Sequence, residues 1–242
     1  VSSKQARIPP VPATAPAFVQ QVTARIIARQ GDTIPVSQIP ADGTWPLGTA
    51  AYEKRDIALQ WPKLEIDLCT HCGKCPLVCP HAAIRMKVYD PQFLEGAPDT
   101  FLSKSFRSKE VPDKLLTIQV APEDCTGCTL CVKVCPAKDK TNPRHKALDM
   151  VPQMPIREQE RVNYDFFLDI PELDRTKQER LDVKGTQFLL PLFEYSGACA
   201  GCGETPYVKL ASQLFGDRML VANATGCSSI YGGNLPTTPW AT

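Results

Sequence analysis

The sequence predicts an α+β domain built by internal duplication, with an extended arm before it and the opening of an α/β unit after it. Three observations carry this prediction. A twelve-residue cysteine unit occurs twice, offset by 56 residues. Prolines crowd the first stretch, which has no cysteine before residue 69. Beyond Gly197, helix signals give way to a short apolar run and a glycine turn.

The 242 residues suffice for one large domain or two small ones. Lys plus Arg is 27 and Asp plus Glu is 26, a balance of +1 that argues against a nucleic-acid partner. No apolar run approaches the roughly 20 residues of a membrane helix, which argues against a membrane role. The first ten residues lack the apolar core of a secretory signal. Eleven cysteines cannot all pair within one chain, and without a secretory signal metal ligation is the better expectation.

Residues 1–64 read as an extended arm or linker. Pro9, Pro10, Pro12 and Pro16 keep its start irregular. Val19, Val22, Ile26 and Ile27 fall at helical spacing, with Gly31 as a stop. Asp42 to Thr49 is rich in turn formers. Residues 65–150 hold the duplication, with Leu115 to Val120 as a strand leading into its second copy. Residues 151–195 are polar and read as a connector with a helix near Glu158–Leu168. In 196–242, Thr205 and Pro206 suggest an N-cap and first turn. Val208, Ala211, Leu214 and Phe215 would line one face of that helix, and Met219–Ala222 would be a strand running into a turn at Thr225–Cys227. Such a sheet is unfinished at residue 242, which suggests a piece of something longer.

The two copies, Cys69–Pro80 and Cys125–Pro136, agree at seven of twelve positions. Each has the form C-x2-C-x2-C-x3-C-P, the run associated with paired [4Fe–4S] clusters. Three cysteines on a tight loop supply three corners of one cubane, and the fourth points away to the other cluster. The expected sets are therefore Cys69, Cys72, Cys75 and Cys135 for one cluster, and Cys125, Cys128, Cys131 and Cys79 for the second. This makes the central domain ferredoxin-like. Zinc also takes C-x2-C pairs, yet does not account for a third cysteine per loop or the C-P ending, twice over. Fully ligated clusters move electrons. Gly73 and Gly127 are expected to let backbone N–H groups approach the sulfurs and tune them.

Cys199, Cys202 and Cys227 remain. They read either as free thiols or as three ligands of a further centre whose fourth lies outside these residues. His71, His81 and His145 read as solvated loop residues.

The runs Tyr195–Tyr207 and Ala224–Trp240, with Asp42–Thr49 and Tyr52-Glu-Lys-Arg55, resemble the single-chain pyruvate:ferredoxin (flavodoxin) oxidoreductases. The resemblance covers the chain in order. It implies that the central clusters precede a thiamine-diphosphate-binding domain with a third, proximal [4Fe–4S] cluster. Cys199, Cys202 and Cys227 would ligate that cluster, with the fourth cysteine elsewhere in the same polypeptide. Glu204 and Cys227 match positions that contact thiamine diphosphate. The Mg2+-binding segment and the pyruvate contacts fall outside this sequence, so no catalytic residue is assigned within it. The implied reaction converts pyruvate and coenzyme A to acetyl-CoA and carbon dioxide, passing electrons to ferredoxin or flavodoxin. The family further implies a homodimer in the cytoplasm, or in an organelle matrix. A stand-alone dicluster electron carrier is the alternative. A sister enzyme for another 2-oxo acid is a further option that the 42–55 and 224–240 stretches disfavour. Lys133, Lys138, Lys140, Arg144 and Lys146 could form a basic rim that steers an acidic acceptor.

Overall fold

The computed structural model describes residues 9–106, 108, 111–178, 180–233 and 235–241. The first eight residues of the expected arm and Asn234 of the 224–240 run lie outside them.

The central unit repeats strand, cysteine loop, short helix and strand. In the first copy these are β1 (Gln60–Leu64), α2 (Lys74–Val78) and β2 (Ile84–Tyr89). In the second they are β4 (Lys114–Val120), α3 (Leu130–Val134) and β5 (Leu148–Pro152). The expected strand at 115–120 is thus present. Pairing is exchanged between the copies: β1 lies antiparallel to β5, and β2 antiparallel to β4. Each sheet therefore takes one strand from either half, as a pseudo-two-fold requires. The long insertion between the copies adds β3 (Lys104–Phe106) to the free edge of β4.

One apolar core packs Trp61, Ile84, Met86, Leu116, Ile118 and Leu148 between the sheets. A second gathers Tyr89, Phe101, Tyr164, Phe167, Ile170 and Tyr195. Four of those six come from the stretch read as a connector. That stretch carries α4 (Arg157–Asp169), close to the expected helix, and α5 (Val183–Thr186). Strand β2 is buried along its whole length, although it contains Arg85 and Lys87. Arg85 donates to Glu194 Oε1 at 2.8 Å and to Glu172 Oε1 at 3.0 Å. Lys87 Nζ lies 2.8 Å from Glu172 and donates to the carbonyls of Phe167 and Ile170. The end of α4 and the residues after it thus supply the carbonyls and carboxylates that two buried cations need.

The arm is less extended than its prolines suggest. A helix begins with a π-type stretch, Val19–Thr23, and continues as α1 (Ala24–Ile27). Three 3-10 turns follow, at Gly31–Thr33, Val36–Gln38 and Thr49–Tyr52, and the arm's last five residues are β1. Val11, Ala15 and Val19 form a small core of their own. The arm also grips the far end of the chain. Gly48 N–H donates to Trp240 O at 2.6 Å and Ala50 N–H to Thr238 O at 3.0 Å. Trp45 Nε1 donates to Pro236 O at 3.0 Å.

Two expectations about 196–242 are corrected. Met219–Ala222 forms no strand, since no neighbouring strand among the described residues offers it a ladder. Cys227 does not sit in a turn; it opens α7 (Cys227–Gly233). Helix α6 spans Thr205–Phe215 as expected, with Glu204 rather than Thr205 as the residue before it, but it is rotated so that Val208, Ala211 and Leu214 are only half-buried. Its polar residues Thr205, Lys209, Ser212 and Gln213 face inward, while Tyr207 and Phe215 are 74% and 50% exposed. The cause is the backbone it covers. Lys209 Nζ donates to the carbonyls of Pro76 and Leu77 at the end of α2, and Gln213 Nε2 to Leu189 O at 2.8 Å. Leu192 N–H donates to Ser212 Oγ at 3.1 Å. Irregular segments leave such groups unpaired, and a polar helix face is what satisfies them.

Candidate iron–sulfur site

The two cysteine loops have the same backbone shape. Position 71 and its counterpart 127 have φ of 54° and 68°, and positions 73 and 129 have φ of 73° and 67°. Each loop places one glycine in this left-handed region, Gly73 in the first and Gly127 in the second. In both loops the third residue turns its N–H back on the first sulfur. His71 N–H donates to Cys69 Sγ, and Gly127 N–H to Cys125 Sγ, each at 3.4 Å. The expected approach of N–H to sulfur is therefore found at Gly127, but the first loop uses His71 rather than Gly73. Gly127 has a second constraint: a Cβ there would come within 3.0 Å of Gln60 O. Gly127→Ala should cost about 1–3 kcal/mol through forced positive φ and this contact. A thermal midpoint unchanged from wild type would show that the loop absorbs the methyl group.

The thiols sort into two groups. Cys69, Cys72, Cys75 and Cys135 line one cavity beside Leu64 and Leu148. Cys79, Cys125, Cys128 and Cys131 line another beside Ile84 and Val120. Each cavity takes three thiols from one loop and the fourth from the other. All eight cysteines are free of disulfides. Burial, and then the neighbouring thiols, push Cys75 well above its ordinary range. Burial pushes Cys125 up to about 12 against the Gly127 N–H, and it raises Cys69 and Cys131 as well. Thiolates so crowded and desolvated need a compensating cation to ionise. Among the described residues, no three or more His, Cys, Asp or Glu side chains converge tightly enough for a single metal ion. Thiols ranged around a cavity suit a cubane, whose corners lie apart, better than one zinc ion.

The third group is more open. Cys199 and Cys227 are exposed and Cys202 is half-buried. Burial raises the Cys202 thiol, but the N–H groups of Thr205 and Glu204 at the start of α6 outweigh it, and its pKa is lowered. Tyr231 stands beside this group, a residue that the sequence reading missed. Its hydroxyl is pushed up to about 12 by burial, by Glu204, and by Cys202 and Cys227. Cys202 and Glu204 are neighbours on the chain, and the electrostatic grouping around Tyr231 is what joins Cys227 to them.

The histidines differ from one another. His81 is buried, contrary to expectation, with Nδ1 3.0 Å from Ser196 O. Its own carbonyl also accepts the Tyr195 N–H, so ring and backbone both join it to the 195–196 run. His71 is half-buried and lowered by burial and by Lys104 and Lys184. His145 lies at the surface, 2.7 Å from Glu65, which raises it. Of the basic rim, Lys133, Lys138, Lys140 and Arg144 are exposed. Lys146 instead donates to the carbonyl of Val132 at 2.6 Å, closing the end of α3. Among the described residues no helix is long and apolar enough to cross a membrane.

Two family models match. Residues 68–138 match a 4Fe-4S dicluster domain, and residues 4–58 match EKR, a domain of unknown function. Among the curated relatives, the pyruvate-flavodoxin oxidoreductase of Nostoc sp. is 58% identical over 231 residues, 96% of this chain. From end to end, this chain resembles a stretch of such enzymes. The pyruvate-flavodoxin oxidoreductase of Trichormus variabilis is 58% identical over 225 residues, and the pyruvate:ferredoxin oxidoreductase of Moorella thermoacetica 51% over 225. Each alignment covers 93% of this chain. The chain spans about a fifth of the length of these oxidoreductases, 19% in each of the three.

Proposed function

We propose that the chain is the electron-relay and cofactor-binding segment of a pyruvate:ferredoxin (flavodoxin) oxidoreductase. The observation that carries this is the pair of cavities, each lined by four thiols with one contributed by the opposite loop. Cys69, Cys72, Cys75 and Cys135 would hold one [4Fe–4S] cluster, and Cys79, Cys125, Cys128 and Cys131 a second. Cys199, Cys202 and Cys227 would supply three ligands of a third, completed from elsewhere in the polypeptide. Glu204 and Cys227, beside Tyr231, would border thiamine diphosphate at the start of that cofactor's domain, with its Mg2+ held by residues outside this sequence. When bound, that cofactor supplies the electron sink for decarboxylation. The overall conversion takes pyruvate and coenzyme A to acetyl-CoA and carbon dioxide, releasing two electrons and a proton.

This chain's own residues contribute wiring. The apolar walls exclude water, and the N–H groups of His71 and Gly127 aimed at sulfur favour the reduced state. Exposed Lys133, Lys138, Lys140 and Arg144 form a rim that suits an acidic ferredoxin or flavodoxin. The names of the relatives support those acceptors, and the resemblance supports a homodimer in the cytoplasm or an organelle matrix.

Iron and acid-labile sulfide on the full-length protein, prepared without oxygen, test the reading. About 12 iron atoms per chain are expected, for three cubanes. About 8 would remove the third centre, and zinc in place of iron would overturn the proposal. If the full-length protein fails to reduce a viologen dye with pyruvate and coenzyme A, the stand-alone carrier takes its place.

A further inference from the structure

The arm holds a run of four charged residues, Glu53 to Asp56, and the first three each reach a different part of the molecule. Lys54 Nζ donates to Asp124 Oδ2 at 2.6 Å; the Asp124 side chain is 4% exposed and directly precedes Cys125. The same ammonium lies 4.9 Å from the centre of the Tyr195 ring. Arg55 Nη1 donates to Ser196 O at 3.2 Å. Its guanidinium packs so closely on Gly197 that a Cβ there would meet Nη2 at 3.0 Å. Arg55 Nη2 also donates to Glu53 Oε2 at 3.2 Å, and that oxygen accepts the Thr237 hydroxyl at 2.5 Å. The next residue, Asp56, donates its N–H to Glu123 O at 2.9 Å.

Four residues in a row thus bridge the run into Cys125, the run into Cys199 and the tail at Thr237. Between the first two lies a cavity of about 200 Å3 that extends from Cys125 to Cys199, walled by Arg55, His81, Thr126 and Ser196. Without the arm, the buried Asp124 carboxylate would lose its cation and the Ser196 carbonyl its charged donor. Both are costly losses below the surface. The same contacts fix how far apart the two cysteine-bearing loops stand.

We propose that Glu53, Lys54 and Arg55 are positioning residues that clamp the Cys199 loop onto the Cys125 loop, setting the gap electrons cross between the third thiol group and the dicluster unit. This gives a role to the arm segment, whose family model has none. The electron-transfer part rests on the function proposed above; the clamp does not.

The test uses full-length protein prepared without oxygen, as Arg55→Met and Lys54→Met beside the conservative Arg55→Lys. Amide hydrogen exchange over residues 195–203 should quicken about tenfold in Arg55→Met, as expected for loss of a charge-assisted hydrogen bond, and recover part-way in Arg55→Lys. Exchange in β2 and β4 should not change. With iron content equal to wild type, reduction of the dicluster unit after one turnover, followed by its paramagnetic signal, should slow while the KM for pyruvate holds. Exchange over 195–203 equal to wild type in both Met variants overturns the clamp. Quickened exchange with an unchanged rate of cluster reduction overturns its part in electron transfer. If Arg55→Met fails to fold, Glu53→Leu, which removes the acceptor that holds both Arg55 and Thr237, is read by the same exchange and the same limits. Iron near 8 atoms in the wild type would instead count against the third centre, and the exchange result would still decide the clamp.

Discussion

A protein carrying Cys69→Ser and Cys135→Ser together should lose about four iron atoms per chain, no more than Cys69→Ser alone. Cys69→Ser with Cys79→Ser should lose about eight. The reason is the exchange of fourth ligands: Cys135 lines the cavity of the first loop, and Cys79 that of the second. If each loop instead kept its own fourth cysteine, the two double variants would trade results. Iron and sulfide counts on anaerobically prepared protein read the difference directly. The fold ties this outcome to the backbone, because the strands are exchanged in the same sense. β2 leaves the first copy to pair with β4 of the second, and β1 pairs with β5.

Arg85→Met is the second large effect. It leaves Glu194 facing the interior without its 2.8 Å partner and deprives Glu172 of one of its two cations. Removing one member of a buried pair costs about 3–5 kcal/mol, a large part of the stability of an ordinary domain. The loss should depend on pH. Burial already holds the Glu194 carboxyl above its ordinary value of 4.5, with Arg85 pulling it down. Without Arg85 it rises further. A carboxyl raised in the folded state contributes its full stability below the unfolded value, and that contribution is lost as pH rises through the folded one. The deficit of the variant should therefore be largest near neutrality and shrink towards a pH of about 4.5. Thermal midpoints at pH of about 5 and about 7.5 check this. A deficit that is constant, or that grows in acid, would mean that Glu194 is not the group left stranded.

The parts of this molecule that the sequence made legible are those whose chemistry is local. Cluster loops declare themselves because three ligands must lie on one tight turn, and the equal strand-to-loop spacing before each follows from the duplication. Strand β4 could be read because Leu116, Ile118 and Val120 alternate with Thr117 and Gln119. The burial of β2 could not be read: Arg85 and Lys87 give Ile84–Tyr89 the look of a half-exposed strand, and their burial depends on Glu172 and Glu194, far along the chain. Helix α6 lies where the sequence places it but is rotated about its axis, leaving its apolar face half-buried. Its amphipathic pattern assumes that apolar residues seek the interior, whereas here the carbonyls of Pro76, Leu77 and Leu189 draw Lys209 and Gln213 inward as donors. Residues 219–222 looked like a strand, but strand formation needs an edge to join. His81 and Tyr231 gave no signal because each acts through partners more than a hundred residues away or on a separate turn.

The contacts between Gly48, Ala50, Thr238 and Trp240 bring two distant points of the backbone side by side, within a single hydrogen bond of each other. Everything from residue 50 to residue 238 is therefore a closed excursion that departs and returns at one place. Segments of that kind can be transplanted into, or cut out of, a host polypeptide with little disturbance, since the host need only bridge a few ångströms. Geometrically, then, the stretch between these two points behaves as a cassette. A short glycine-rich splice across residues 50 and 238 would remove it whole, together with all eleven cysteines.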